Sequence, residues 1–201
     1  MNFFDTNVYR KSLKLLETLP LEPRYIEVSE AKNIFNGVKV CSFTGHRPEK
    51  LKLYEESDIK CIELKFKIYE EVFSAINEGY THFISGMARG IDTWAAEAVL
   101  ELSMKFDFPV KLFAAVPCPS QDEKWLGWEQ ERYTEILRCC EGVFLVSKRY
   151  SPNCMKKRNE FMVTNSDRII AVYDGRSGGT ENTIELAKKS EKNIRFISLN
   201  S

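Results

Sequence analysis

The stretch HFISGMARGIDTWAAEAVLEL, residues 82–102, changes its period within a few residues. A short apolar run, His82 to Ser85, passes through a loop holding Gly86 and Gly90 into a segment, Thr93 to Lys105, whose apolar residues recur at helical intervals. Strand, glycine-bearing loop and helix in that order form the repeating unit of a parallel sheet. Working outward, similar apolar runs stand at Val38–Phe43, Val110–Val116, Gly142–Val146, Arg168–Tyr173 and Ile194–Leu199. Between them, Ser57–Glu78, Gln130–Cys139, Met155–Asn165 and Thr180–Lys189 read as helices, the first through Ile62, Phe66, Tyr69, Val72, Phe73 and Ile76. The pattern predicts an α/β fold, a Rossmann-like open parallel sheet with helices on both faces. Parallel crossovers are right-handed, so every loop leaving a strand's carboxyl end reaches one edge of the sheet, where ligands bind in such folds.

A chain of 201 residues with 43% hydrophobic content has room for one such core. Residues Met1 to Gly37 read differently: Tyr9, Leu13, Leu16 and Leu19 give helical spacing over Val8–Leu19, which Pro20 and Pro23 then interrupt. The expected division is an N-terminal extension, 1–37, and a domain, 38–201. Twenty-nine basic residues balance 29 acidic ones, so no global field draws the chain to nucleic acid or an anionic membrane. Any polyanion must be caught locally. The six cysteines form no CxxC pair and no spacing matched to His46 or His82, so neither a metal site nor a disulfide framework is expected. No cofactor is indicated. With no signal-peptide pattern and no apolar run near the roughly 18 residues of a membrane span, the expected location is the reducing cytoplasm.

The unusual residues fall on the strand-to-helix loops. Thr44, Gly45, His46, Arg47 and Pro48 follow the first run; Ser85 to Asp92 follow the second; Asp174 to Thr180 follow the fifth. One pocket can gather all three. Glycines let the backbone approach a ligand, and the first amides of a following helix favour an anion. In Gly178-Gly179-Thr180 the Thr180 hydroxyl either caps the last helix or donates to a phosphate oxygen. Arg47 and Arg89, on short loops, are bidentate phosphate clamps or surface arginines. Asp92 serves the helix start, or hydrogen-bonds a ribose or Arg89. His46 is a proton shuttle or a structural imidazole. Gln121, Trp125 and Trp128, in the loop after Val116, form either a lid that stacks on a base or a cover for the sheet edge.

Taken together, SFTGHRPEKL (42–51), FISGMARGIDTWAAEAVLEL (83–102), the Gln121 and Trp125 pair, KKRNEFMVTNSDRIIAVYDG (156–175) and SGGT (177–180) resemble the YpsA-like branch of the SLOG superfamily, over about Val38 to Leu199. The superfamily includes DprA (Smf) and the Lonely Guy (LOG) phosphoribohydrolases. The resemblance implies a Rossmann-like fold and the binding of a nucleotide or a nucleotide-derived ligand such as ADP-ribose. LOG enzymes cleave the N-glycosidic bond of a nucleoside 5′-monophosphate with segments like ERKxxM and PGGxGTxxE. KRNEFM is similar to the first, placing Arg158 at its arginine and bringing Asn159 into the candidate set. DGRSGGTENT departs from the second, since Thr183 stands where LOG has its glutamate. A hydrolase would need a carboxylate from elsewhere, and Asp92, Asp174 and Glu181 are the candidates. DprA carries a loop like Ser85–Asp92 and binds single-stranded DNA, which takes a basic groove with stacking aromatics. Here Lys148, Arg149, Lys156, Lys157 and Arg158 form a local basic cluster.

The expected function is therefore the binding or sensing of a phosphate-bearing, nucleotide-derived small molecule. The candidate residues are Thr44, Gly45, His46, Arg47, Ser85, Gly86, Ala88, Arg89, Gly90, Asp92, Arg158, Asn159, Asp174, Gly178, Gly179 and Thr180. N-glycosidic hydrolysis is the second reading and single-stranded DNA binding the third. No membrane partner is expected, and a homo-oligomer is compatible with the sequence.

Overall fold

The computed structural model describes residues 20–199. Seven parallel strands form one sheet: β1 (Tyr25–Ile26), β2 (Val40–Gly45), β3 (His82–Ser85), β4 (Lys111–Val116), β5 (Gly142–Leu145), β6 (Arg168–Val172) and β7 (Asn193–Ile197), in the order β1-β5-β4-β3-β2-β6-β7. The helices are α1 (Ala31–Ile34), α2 (Ile59–Asn77), α3 (Ile91–Phe106), α4 (Gly127–Cys139), α5 (Cys154–Thr164) and α6 (Gly179–Lys189).

Strand side chains alternate between the two faces, and each face has its own helical cover. Cys41, Phe43, Phe83, Leu112, Ala114, Val116 and Val143 pack with Leu64, Ile68 and Val72 of α2, Trp94, Val99 and Leu102 of α3, and Tyr133, Ile136 and Leu137 of α4. On the opposite face, Val40, Ile84, Phe113 and Phe144 meet Ala31 of α1, Phe35 just after it, and Phe161 and Met162 of α5. A smaller cluster of Val163, Ile169 and Ala187 seats α6. Both faces are dry, which is why these strands read as apolar runs.

Several boundaries shift by one to three residues from the sequence reading, and two differences change the sheet. β2 continues through Thr44 and Gly45, which pair with Ala171 and Val172. The apolar run stops at Phe43, but β-branched Thr44 keeps the ladder going. β1 was not anticipated, because two residues carry no period. It lies within the segment read as an extension and pairs Tyr25 and Ile26 with Val143 and Phe144. Gly142 makes room for it: a Cβ there would overlap the Ile26 side chain. The helix predicted over Val8–Leu19 lies outside the described residues.

Candidate functional site

β2 stands between β3 and β6, so the three glycine-bearing loops open side by side at the carboxyl edge. The chain leaves β2 for β3 on one side and leaves β6 for β7 on the other. Loops that diverge from neighbouring strands open a crevice between them, the switch point at which open α/β sheets hold ligands. A cavity of about 570 Å³ fills it. Of the residues singled out from sequence, Thr44, Gly45, His46, Arg47, Ala88, Asp92, Arg158, Asn159, Gly179 and Thr180 line this cavity. Glu49, Lys50 and Met155 join them; no spacing marks these three, because only the path of the loop after β2 and the placement of the first turn of α5 bring them there.

At its floor Arg158 Nη1 donates to Asp92 Oδ2 at 3.0 Å, both side chains being more than nine-tenths buried. Asp92 Oδ2 also accepts the Ala88 amide at 3.3 Å. Asp92 thus braces the loop that enters α3, and its arginine partner is Arg158 rather than Arg89. Burial pushes the Asp92 carboxyl above its ordinary range, and the Arg158 charge opposes that without cancelling it. Arg158 Nε is buried without a partner among the described residues. Arg158 is thus no part of an exposed basic cluster: burial removes it from the group of Lys148, Arg149, Lys156 and Lys157, and Lys156 is itself paired with Glu160.

Across the cavity His46 is buried between two loops. Its Nε2 lies 2.9 Å from Asp174 Oδ1 and its Nδ1 lies 3.2 Å from Thr180 Oγ1. Burial lowers the His46 pKa, with Asp174 pulling the other way, so the ring stays neutral at pH 7. Asp174 is held at about 2 chiefly by the Arg176 guanidinium. The imidazole thus faces the Asp174 carboxylate with Nε2 and pairs through Nδ1 with the Thr180 hydroxyl. Asn159 Nδ2 donates to Thr183 Oγ1, which donates to the Gly179 carbonyl, both at 2.8 Å, tying α5 to the first turn of α6. Among the described residues no side chain caps α6, so its N-terminal end faces the cavity open.

Other candidates shape the pocket from behind. Ser85 is buried; its Oγ donates to the Asp92 carbonyl and accepts the Met87 amide. A Cβ on Gly86 would overlap the Arg158 guanidinium, so only glycine lets that arginine pass. Gly90 holds φ +84 against Pro48 at the start of α3. Gly178 precedes α6, and the loop around it is latched by Lys50 Nζ donating to the Ser177 carbonyl at 2.5 Å. Arg89 is turned away from the cavity, into ion pairs with Glu49 and with Glu129 at 3.0 Å. Glu181, in the first turn of α6, does not line the cavity. Gln121 Nε2 donates to the Met87 carbonyl at 2.5 Å, fastening the long loop after β4 to the loop after β3. Among the described residues no group of three or more His, Cys, Asp or Glu is arranged to hold a metal ion, and no helix is long and apolar enough to cross a membrane.

Comparison with known proteins places this architecture. Residues 41–200 match the family model described as the YspA SLOG family, YpsA. A UPF0398 protein of Bacillus cereus (strain B4264) is 30% identical over 157 residues, covering 76% of this chain and 84% of that protein. The UPF0398 protein BH1768 of Halalkalibacterium halodurans is 26% identical over 168 residues, covering 80% and 88%. Among solved structures, DNA processing protein A (DprA) from Streptococcus pneumoniae shares the fold with a TM-score of 0.54 at 17% identity; the match covers 83% of this chain and 52% of that one. DNA processing protein A from Helicobacter pylori, described for its single-stranded DNA binding mode, matches with a TM-score of 0.56 at 18% identity, covering 84% and 70%. With a sheet whose switch point carries the glycine loops and a family match over most of its length, the chain belongs to the YpsA family of the SLOG superfamily.

Proposed function

We propose that the domain, 38–201 together with the β1 and α1 residues that pack onto it, binds or senses a nucleotide-derived, phosphate-bearing small molecule in the cavity between β2 and β6. The observation that carries this reading is Arg158: a buried guanidinium with an unpartnered Nε, lining a cavity that the uncapped end of α6 also faces. Arg47 stands in the same cavity, exposed, with no side-chain hydrogen bond among the described residues. Two guanidinia and a helix start suit a phosphate dianion. The free thiols of all six cysteines support a reducing cytoplasm as the place of action.

The test is thermal stability in the presence of inorganic phosphate, ribose 5-phosphate, AMP and ADP-ribose. A ligand at about 100 times its dissociation constant adds roughly 2.7 kcal/mol of stability. Arg47→Ala is expected to weaken binding about tenfold with little change in stability, because a charge-assisted hydrogen bond contributes about 1.5–3 kcal/mol and Arg47 supports no fold contact. No stabilisation by any of the four refutes the reading.

One observation favours hydrolysis as a second reading: the Asp92 carboxyl faces the cavity with its proton affinity raised. Free base released from a nucleoside 5′-monophosphate, and lost in Asp92→Asn with binding intact, would establish it over pure binding. Asp174 serves His46 and Arg176, and neither it nor Glu181 lines the cavity, so neither supports a hydrolase as well as Asp92 does. Single-stranded DNA binding ranks third, since the basic cluster that would serve it loses Arg158 to the interior.

A further inference from the structure

Beside the phosphate cavity lies a second one of about 200 Å³, walled by Tyr54, Trp94, Trp125, Trp128 and Tyr133. Its inner wall is tied to its neighbours. Trp94 Nε1 donates to Glu56 Oε1 at 2.8 Å, and Trp125 stands edge-on to Tyr133 with ring centroids 5.3 Å apart. Its rim is not satisfied: Trp128 is 54% exposed and Tyr54 72% exposed, apolar faces left in water around a concave site.

The two cavities share a wall and one residue. Arg47 and Ala88 face the first, while the adjacent Pro48, Arg89 and Gly90 face the second, and Glu49 lines both. Arg89 holds Glu49 Oε1, and Glu49 Oε2 has no partner among the described residues. Along the cleft the chemistry thus runs from cationic side chains and helix amides, through a carboxylate oxygen free to accept, to aromatic faces. A nucleoside 5′-phosphate presents the complementary series: a dianion, hydroxyl donors on the sugar, then a planar base. The arginine pair that pins Oε1 leaves Oε2 as the acceptor at the junction.

We propose that the aromatic cavity is the base subsite and Glu49 the sugar-hydroxyl acceptor for a nucleoside 5′-phosphate whose phosphate occupies the first cavity. This rests on the phosphate reading above and extends it to the rest of the ligand. Trp128 supplies the stacking face and Glu49 Oε2 accepts from the sugar.

The test compares AMP with ribose 5-phosphate by calorimetry on the full chain. Wild type is expected to bind AMP about tenfold or more tighter than ribose 5-phosphate, as base stacking on an aromatic side chain supplies. Trp128→Ala should erase that preference while leaving ribose 5-phosphate affinity unchanged. Glu49→Gln should weaken both sugar-bearing ligands relative to inorganic phosphate. Both residues are exposed on the cavity rim, so circular dichroism melting should match wild type and a folding defect is separable from lost binding. Equal wild-type affinity for the two ligands, or a Trp128→Ala loss shared equally by both, overturns the base subsite with phosphate binding intact. Binding of neither overturns the phosphate reading, and the subsite falls with it.

Discussion

Asp92→Asn is the sharpest probe of how the pocket holds its arginine. In the folded chain two opposite charges sit 3.0 Å apart with both side chains nearly sealed from water. At an effective dielectric near 20, such a pair attracts by about 5.5 kcal/mol. Burial takes most of that back, since the Asp92 carboxyl lies above its usual range despite the neighbouring guanidinium. The intact pair is therefore close to neutral for stability, whereas breaking it is not. An amide at position 92 leaves Arg158 charged, buried and unbalanced, which costs about 3–5 kcal/mol. At roughly 2–4 °C per kcal/mol for a chain of this size, the melting temperature should fall by about 10 °C. Calorimetric melting at pH 7 reads this directly. Added phosphate should restore more stability to Asp92→Asn than to wild type, because the anion then supplies the missing charge. The double substitution Asp92→Leu with Arg158→Met should recover most of the loss while abolishing phosphate binding. A melting temperature for Asp92→Asn within 2 °C of wild type, on the roughly 1 kcal/mol scale of an exposed pair, would refute the reasoning.

Three further outcomes follow from the same geometry. Gly86→Ala drives a methyl into the Arg158 guanidinium, so it should lower both stability and phosphate affinity, measured by melting with and without phosphate; unchanged affinity would show that Arg158 does not take the anion. His46 titrates below its ordinary 6.5, so the folded chain binds fewer protons than the unfolded one just below that pH; its contribution to stability is complete above 6.5 and is lost as pH falls through that window. His46→Gln should flatten the melting temperature's dependence on pH there, and an unchanged slope would refute it; Asp92, raised, contributes with the opposite sign at lower pH. Glu56 resists ionisation through burial, but hydrogen bonds from Arg132, Lys65 and Trp94 outweigh this and hold its carboxyl at about 2. Glu56→Gln should destabilise the chain by about 1–3 kcal/mol, read by urea unfolding, since it leaves donors of a half-buried network unmatched.

The strands and helices of the sheet were legible in the amino-acid sequence because their signal is local. A buried strand such as Phe83–Ser85 and a helix such as Ile59–Asn77 each carry a period that a dozen residues suffice to show. The position of the glycine loops at one edge followed from the handedness of the crossovers. The partners of the charged residues did not follow. Arg89 and Arg158 look alike in sequence, yet one is held at the surface by Glu49 and Glu129 while the other is buried against a carboxylate 66 positions away. Glu49, on a loop with no period at all, reaches the junction of two cavities only because Pro48 lies against Gly90 and Lys50 is latched to Ser177. Local sequence sets where the backbone turns and which face is apolar. Which charge meets which is decided by the packing of distant loops into a medium of low dielectric, where a pair's energy depends on burial and on separations of a few ångströms.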